Sequence, residues 1–338
     1  MKKLKNPPNP FQSGAYTYFE GMAPPAKLEV YEDVTRNILS KNDSPDLAFK
    51  WSLNPYRGCG HACAYCYARP SHEYLHFGAG TDFETKIVLK KNAANLLRQT
   101  FLKPSWKGEL IVFSGDTDCY QPLEYHYELT KQCLEVCAEF SNPIALITKS
   151  FLVTRDTELL KRLHAKTQAS VIISIPFFDE KTARAIEPHA ASVAKRFEAV
   201  RILSEAGLPV AVNVAPVIPG LNEADIPQIL KKARECGAIR AWMTLLRLPG
   251  NVKTVFLERL KAAYPLRYEK IVRRIREARD GKLYNSRFGQ RMRGTGTYWE
   301  SIEKIFETYC GKLGFNRNEP QKSKPGFRRP TRQKELAF

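Results

Sequence analysis

The amino-acid sequence predicts an α/β fold in which six strands form a parallel sheet. From residue 109 onward, short apolar runs alternate with segments whose apolar residues recur at helical spacing. The run Val171-Ile-Ile-Ser-Ile175 is apolar almost throughout, which is typical of a strand buried on both faces. Regular alternation of strands and crossover helices favours parallel pairing, either in an open, partial barrel or in a doubly wound sheet.

The strands and helices follow one another in a regular order. The first strand is predicted at residues 51–54, and the stretch 82–103 begins extended and becomes helical. The later strands are predicted at 109–113, 143–148, 169–175, 210–217 and 238–246, with helices at 125–140, 156–165, 193–206 and 224–236. In either arrangement the C-terminal ends of the strands meet at one edge of the sheet, where we expect the functional site.

Three segments flank this core of residues 51–250. Residues 1–50 are rich in Pro, Asn and Lys, and we predict an N-terminal extension that wraps the sheet edge or is partly disordered. Residues 251–315 are predicted to form a C-terminal helical extension. Residues 316–338 carry seven basic and two acidic residues among Pro, Gly, Gln and Ser, which predicts a basic disordered tail.

The composition of the chain predicts its cellular compartment. Apolar residues make up 43% of the 338 residues, yet no run of about 18 of them occurs, so no membrane span is expected. The basic N-terminus lacks the apolar stretch of a secretory signal. Without such a signal, the eight cysteines predict reduced thiols and a cytoplasmic protein.

The chain is strongly basic, with 53 Lys and Arg against 35 Asp and Glu. Such an excess favours a polyanionic partner such as nucleic acid, although a solvated basic surface is the alternative. Residues 267–293 hold ten basic and three acidic residues, and residues 288–299 interleave Gly, Arg and aromatic side chains. This pattern suits contact with phosphates and bases, or else a loop that closes the barrel with Tyr298 and Trp299 in the core.

The segment with the strongest chemical signal is Cys59-Gly-His-Ala-Cys63-Ala-Tyr-Cys66. Thiolates bind iron–sulfur clusters and zinc, and a loop with this spacing can direct three sulfurs to one point. Three ligands would leave one iron of a four-iron cluster open for chemistry. The alternatives are a structural zinc site completed by His61 or His72, and buried free thiols.

The wider run, Asn54-Pro-Tyr-Arg-Gly-Cys-Gly-His-Ala-Cys-Ala-Tyr-Cys-Tyr-Ala-Arg-Pro70 followed by His72-Glu-Tyr74, carries a family resemblance. With Tyr65 just before the third Cys, it resembles the signature of radical S-adenosylmethionine (radical SAM) enzymes. It is similar in particular to the spore photoproduct lyase-related, or "DNA-repair photolyase-like", subgroup, over roughly residues 50–315. The resemblance implies a partial (β/α)6 TIM-like barrel and a [4Fe–4S] cluster on Cys59, Cys63 and Cys66.

The chemistry that the resemblance implies is reductive cleavage of S-adenosylmethionine, after which a 5′-deoxyadenosyl radical abstracts a substrate hydrogen. Electrons would come from a donor such as flavodoxin or ferredoxin. Charge and subgroup favour a substrate in nucleic acid, as in lyase-type DNA repair. The alternatives are a peptide or small-molecule substrate, and a non-catalytic zinc- or cluster-binding nucleic-acid module.

Several polar residues at predicted strand ends are candidates for binding the cofactor. The resemblance assigns the amino group of S-adenosylmethionine to the turn that follows the second strand, and Tyr65 is expected beside it. Ser174 and Asn213 are candidates for the ribose hydroxyls or the methionine carboxylate. Arg196 is a candidate for a carboxylate, and Lys149 for a carboxylate or a substrate phosphate. An ordinary polar turn and internally satisfied side chains are the alternatives. The residues of the turn are Gly115, Asp116, Thr117 and Asp118.

One position departs from the family pattern. Spore photoproduct lyase uses a cysteine as hydrogen donor just ahead of a Thr-Ser-Asp at this strand end. If Asp118 matches that Asp, the donor position here is Gly115, and the nearest thiol is Cys119. Cys119 is therefore the candidate hydrogen donor, and thymine-dimer repair is not assigned to this chain.

Overall fold

The computed structural model describes residues 27–317 and 326–330. The strands are β1 (Glu29–Glu32), β2 (Leu39–Lys41), β3 (Trp51–Leu53), β4 (Tyr56–Arg57), β5 (Lys86–Leu89), β6 (Ile111–Phe113), β7 (Ile144–Thr148), β8 (Ala169–Ser174), β9 (Val210–Val217) and β10 (Arg240–Leu245). The helices are α1 (Thr81–Thr85), α2 (Ala93–Leu102), α3 (Glu124–Tyr127), α4 (Leu129–Phe140), α5 (Thr157–Lys166), α6 (Glu180–Ile186), α7 (Val193–Glu205), α8 (Ile226–Glu235), α9 (Val252–Ala263), α10 (Tyr268–Glu277) and α11 (Gly296–Leu313).

The main sheet is an open, partial barrel. Its seven strands lie in the order β10-β9-β8-β7-β6-β3-β2, and the six from β3 to β10 in this order pair in parallel. From β3 to β10, strands that are adjacent in this sheet also follow one another along the chain. In a doubly wound sheet the strand order reverses at a switch point. The predicted six-stranded α/β partial barrel is confirmed, and β2 adds an antiparallel strand at one edge.

The described part of the N-terminal segment supplies one edge strand to each of the two sheets. Of the predicted extension, residues 27–50 supply β2 and also β1, which pairs with β5 in a small sheet of order β1-β5-β4. Residues 1–26 lie outside the described residues. The predicted boundaries near residues 50, 250 and 315 stay a prediction, because one apolar core runs from Ile38 to Phe315.

Three helices differ from the sequence prediction. The helix predicted at 125–140 is divided into α3 and α4 at Glu128, which has a positive φ of 50°. Helix α6 was not predicted, since its seven residues are too few to show a clear helical period. The long helical segment after residue 251 is divided into α9 and α10 at residues 264–267, where Pro265 ends the first helix.

The inner face of the barrel carries a row of aligned side chains near the C-terminal ends of the strands. Ser174, Asn213 and Trp242 are register partners on β8, β9 and β10, so they share one face. Val212 and Val214 on the opposite face are fully buried under the helices. Trp242 is 43% exposed, which identifies its face as the lumen.

The C-terminal segments cover the free edge of β10. The Asn316 side chain accepts a hydrogen bond from the Ala241 N–H at 3.0 Å and donates to its carbonyl at 2.9 Å. The Leu245 N–H donates to the Met292 carbonyl at 3.1 Å. These contacts satisfy backbone groups that an open sheet edge would otherwise leave free.

The described part of the predicted disordered tail is packed. Residues 326–330 place the Phe327 ring 5.7 Å from that of Phe101 and 6.2 Å from that of Phe140. The Arg329 side chain donates to the carbonyls of Phe101, Lys103 and Trp106. This differs from the predicted disorder because an aromatic and an arginine find specific partners at the opposite end of the barrel from the site.

None of the helices within residues 27–317 and 326–330 combines the length and the apolar character that crossing a membrane would require.

Candidate cluster and cofactor site

The loop that carries the three cysteines lies between β4 and the turn at Arg69–Leu75. Gly58 begins it with a φ of 76°, and a Cβ there would lie 2.8 Å from the His72 ring. The Cys59 N–H donates to the Phe83 carbonyl and the Ala64 N–H to the Ile186 carbonyl, each at 2.9 Å. The loop is therefore fixed by backbone contacts to segments on two sides, and its thiols are buried or half-buried.

Each histidine proposed to complete a zinc site has a contact outside the set of three thiols. His72 Nε2 lies 2.8 Å from the Lys86 carbonyl, and burial lowers the pKa of His72 to about 4. His61 Nδ1 lies 3.4 Å from Asp118 Oδ2. Within the described ranges, no three His, Cys, Asp or Glu side chains gather closely enough to hold a single metal ion. This arrangement does not support the zinc alternative.

Asp118 connects the cysteine loop to the strand ends. Its carboxylate accepts hydrogen bonds from the Thr148 hydroxyl at 2.7 Å, from the Lys149 N–H at 2.8 Å and from the Tyr120 N–H at 2.9 Å. Burial would raise the pKa of Asp118, but His61 and these donors lower it to about 2. Protein groups already donate hydrogen bonds to both oxygens of Asp118. The predicted role of Asp118 as a direct acceptor for the amino group of the cofactor is therefore not supported.

His61 and Cys59 form a second coupled pair on the loop. Burial alone would lower the pKa of His61, but the Cys59 sulfur and Asp118 raise it to about 10. Burial alone would raise the pKa of Cys59, but His61 lowers it below its ordinary value. The line from Asp118 through His61 to Cys59 therefore favours a thiolate at Cys59, which is the form that binds iron.

The turn after β6 has the backbone shape expected of a ligand-binding loop. Ser114 and Gly115 have positive φ values of 88° and 132°. The Asn54 side chain accepts hydrogen bonds from the N–H groups of Asp116 and Thr117, both at 3.3 Å, and the Thr117 hydroxyl donates to the Gly58 carbonyl at 2.5 Å. The turn is thus tied directly to the start of the cysteine loop.

Tyr65 and Arg196 belong to one buried network that the sequence did not reveal. Both contact Glu187: the Tyr65 hydroxyl donates to Oε1, and Arg196 Nη2 lies 2.5 Å from Oε2. Arg196 Nη1 also donates to the Ser174 carbonyl at 3.3 Å. Since Glu187 already balances the charge of Arg196, the predicted role of Arg196 as a carboxylate partner of the cofactor is not supported.

Lys149 is better placed for that role. Its Nζ lies 5.6 Å from the centre of the Tyr65 ring, and no carboxylate of the described residues pairs with it. Burial would lower the pKa of Lys149, but Cys63 and Glu187 raise it above its ordinary value. A charged ammonium therefore lies beside the cysteine loop, where it can meet an anionic group.

Asn213 presents an unsatisfied acceptor to the lumen. Its Oδ1 atom is buried and accepts no hydrogen bond from residues 27–317 or 326–330. Such an atom normally has a partner, because an unpaired buried acceptor costs about 1–3 kcal/mol. Its aligned neighbours are Ser174 and the exposed ring of Trp242. A hydroxyl or amine of a bound molecule would satisfy this oxygen.

Two predicted site residues, Cys119 and Asp116, have surroundings that differ from the expected ones. Cys119 has no exposed surface and packs in the apolar core, where burial raises its pKa well above the ordinary value. A hydrogen donor has to reach the substrate, so this position argues against Cys119 in that role. Asp116 interacts with Ser71, Arg57, Lys90 and Tyr67, and burial raises its pKa.

Tyr67 marks the outer rim of the site. Its hydroxyl donates to the Gly115 carbonyl at 2.6 Å, and its side chain is 45% exposed. The guanidinium of Arg247, which follows β10, lies 4.8 Å from the centre of the Tyr67 ring. The mouth of the barrel therefore combines an aromatic ring, a cation and the Gly115 backbone.

Comparison with known proteins identifies the family. A family model described as the radical SAM superfamily matches residues 53–233, which is more than half of the chain. The chain belongs to the radical SAM superfamily. Enzymes of this superfamily use a [4Fe–4S] cluster and S-adenosylmethionine, so the cluster and S-adenosylmethionine are the cofactors of this chain. Enzymes of the superfamily also need a reductant.

Similar proteins are found in bacteria and phages. An uncharacterized protein of Mycobacterium tuberculosis is 34% identical over 253 residues, covering 73% of this chain and 74% of that protein. A protein named radical SAM Nalpha-GlyT isomerase, from a Pseudomonas phage, is 22% identical over 301 residues, covering 88% of this chain and 60% of that protein. A variant of spore photoproduct lyase has a similar fold, with a TM-score of 0.60, 15% identity and coverage of 85% and 80%.

The residues of this radical SAM chain fit the two cofactors. Cys59, Cys63 and Cys66 offer a set of three thiols that no histidine completes, as a four-iron cluster with one open iron requires. The open acceptor of Asn213 and the unpaired ammonium of Lys149 suit the hydroxyls and the carboxylate of S-adenosylmethionine. When bound, the cluster supplies the electron for reductive cleavage of the cofactor, while the protein positions both and limits access of water.

Replacing any one of Cys59, Cys63 and Cys66 with Ala should abolish binding of the four-iron cluster, because each thiolate holds one iron. Iron and sulfide content and the brown absorbance of anaerobically reconstituted protein measure this. Cys137→Ala, which removes a buried thiol on α4, is the control and should keep the cluster. Full iron retention in a loop variant whose circular dichroism is unchanged would contradict the assignment.

Asn213→Leu should keep the cluster but weaken binding of S-adenosylmethionine by about tenfold, since about 1–3 kcal/mol is lost with one buried polar contact. Anaerobic calorimetry on reconstituted protein measures the affinity. Asn95→Leu, on the exposed surface of α2, is the matched control. Equal affinities in wild type and Asn213→Leu would show that the unsatisfied oxygen does not face the cofactor.

Proposed function

We propose that this protein is a radical SAM enzyme that abstracts a hydrogen from a substrate within a nucleic acid. The observation that carries the proposal is Arg247, whose guanidinium stacks on Tyr67 at the mouth, two contacts from Gly115. Arg247 forms no ion pair with any carboxylate of the described residues, and its Nε atom is buried without a hydrogen-bond partner. An unpaired cation beside an exposed ring suits a phosphate next to a base.

Other groups with the same properties follow on the loop between α10 and α11. Arg287 and Arg293 are exposed and pair with no carboxylate of the described chain, and Phe288 is 59% exposed. This loop contacts β10 through Met292, so it borders the lumen on the side of Trp242. Cations and aromatic rings are therefore interleaved along one rim of the barrel, as binding of single-stranded nucleic acid requires.

Other members of the predicted basic segment are structural. Arg279 is buried and donates to four carbonyls, among them that of Leu246 at 2.7 Å. Arg291 pairs with Asp46, its Nε lying 2.5 Å from Oδ2, and Trp299 is buried in the core. Of the predicted polyanion-binding segment 267–299, the proposal uses the part next to the mouth, Arg287, Phe288 and Arg293, together with Arg247.

The bound molecules of one solved structure of similar fold support a nucleic-acid substrate. Spore photoproduct lyase has been determined with bound AdoMet and dinucleoside spore photoproduct, and that structure has a TM-score of 0.57 with this chain. The reaction of this chain must differ in its hydrogen donor, because Gly115 offers no thiol and Cys119 is buried in the core. Flavodoxin or ferredoxin is the proposed electron donor.

The test of the function is an anaerobic assay for 5′-deoxyadenosine, with reconstituted protein, S-adenosylmethionine and a chemical reductant. The assay is run without substrate and with single-stranded DNA, double-stranded DNA or RNA. We expect one of these nucleic acids to raise the yield of 5′-deoxyadenosine. When that nucleic acid is deuterated, deuterium should appear in the 5′-deoxyadenosine. Stimulation by peptides or small metabolites alone would instead assign the substrate to those classes.

Reversal of the three arginines at the rim, as Arg247→Glu with Arg287→Glu and Arg293→Glu, should weaken nucleic-acid binding. Each neutralised phosphate of a single strand contributes about 0.7 to the slope of log affinity against log salt, so the slope should fall by about two. Fluorescence anisotropy across a salt series measures it. The matched control is Arg162→Glu on the outer helix α5, which should keep the wild-type slope. Identical slopes in all three proteins would remove nucleic acid from this rim.

A further inference from the structure

Two arginines hold the backbone of the cysteine loop. Arg69, which has no exposed surface, donates to the Cys63 carbonyl from Nε at 3.2 Å and from Nη2 at 2.8 Å. Arg259 on α9 donates from Nη1 to the Ala62 carbonyl at 2.5 Å. Ala62 has a φ of 57°, a left-handed conformation that residues other than glycine adopt at a cost. The two contacts fix consecutive peptides between the first and third thiols.

A single carboxylate joins these arginines. Glu84 Oε1 accepts from Nη2 of Arg69 and from Nη2 of Arg259. The side chains of Arg259 and Glu84 are only 14% and 13% exposed. Two guanidinium groups and one carboxylate leave one positive charge in excess beside the thiols. Solvent screens this charge weakly because the group is largely buried.

The two arginines differ in where they come from. Arg69 and Glu84 lie within one short stretch after the loop, whereas Arg259 is 197 residues from Ala62 along the chain. Helix α9 belongs to the C-terminal helices, outside the matched family segment of residues 53–233. The C-terminal helices thus reach the cysteine loop through this side chain.

We propose that Arg259 is a positioning residue for the iron–sulfur cluster. Arg259 fixes the Ala62 peptide and, through Glu84, holds Arg69 in position. Retention of the cluster and its reduction potential therefore both depend on a residue of the C-terminal helices. Groups that orient metal ligands without touching the metal commonly change metal affinity by 10–100-fold. Net charge and hydrogen bonding near a cluster set its potential.

The test compares wild type with Arg259→Met after anaerobic reconstitution. The rate of cluster loss is followed by bleaching of the visible absorbance in the presence of an iron chelator, and the potential by redox titration with electron paramagnetic resonance. Arg259→Met should lose its cluster roughly tenfold faster. Its potential should be more negative, because removing a positive charge disfavours the reduced cluster. Wild-type values of both quantities would overturn the proposal.

Lys261→Met is the matched control, because it removes one positive charge from the exposed face of the same helix. It should match wild type in both measurements. The double variant Glu84→Gln with Arg259→Met restores the wild-type net charge around the loop but not the contact with Ala62. We expect its potential to return toward wild type while cluster loss stays fast. A slow loss in the double variant would contradict the positioning role.

Arg259→Lys decides the outcome if the Met variant does not fold by circular dichroism. Lysine keeps the charge but lacks the planar fork that contacts Ala62 and Glu84 together. We expect a potential near wild type and a loss rate several-fold above it. A wild-type loss rate in Arg259→Lys would overturn the proposal. None of these measurements uses a substrate, so they do not depend on the proposed nucleic-acid function.

Discussion

The carboxylate of Asp118 is the contact on which the arrangement of the site depends. It receives hydrogen bonds from the end of β7 and lies 3.4 Å from the ring of His61, in the middle of the cysteine loop. A buried carboxylate is costly unless donors surround it, and here the backbone and side chains supply them. The same contacts therefore stabilise the anion and connect the cysteine loop to the C-terminal ends of the strands.

The other supports of the loop follow the same physical rule. Glu187 joins Tyr65 to Arg196 on α7, and Glu84 joins Arg69 to Arg259 on α9. Each buried carboxylate binds the loop, or a side chain that holds it, to a different segment of the barrel. Charge pairs of this kind require a defined geometry, whereas apolar packing tolerates small shifts. A loop made mainly of small residues and thiols gains its shape from these surrounding ions.

The sequence was sufficient for everything that depends on local pattern. Alternating apolar runs located the six parallel strands, and the resemblance carried by the run from Asn54 to Tyr74 indicated the family. The partners of Arg196 and Arg291 could not be predicted, because Glu187 and Asp46 meet them only after the chain has folded. The burial of Cys119 could not be predicted for a related reason, since it depends on packing against residues distant in the chain. The short helix α6 showed no periodicity, yet the residue that follows it is Glu187.

The position of Arg259 in the chain determines when the contacts of the cysteine loop are completed during synthesis. The cysteine loop leaves the ribosome well before α9, because Arg259 follows Ala62 by 197 residues. Strands that pair in chain order can assemble progressively from the N-terminus during synthesis. The loop then exists for a time with its thiols in place and its last backbone contact missing. A cluster inserted into the nascent chain would meet a loop without the Arg259 contact, which forms only when α9 has docked.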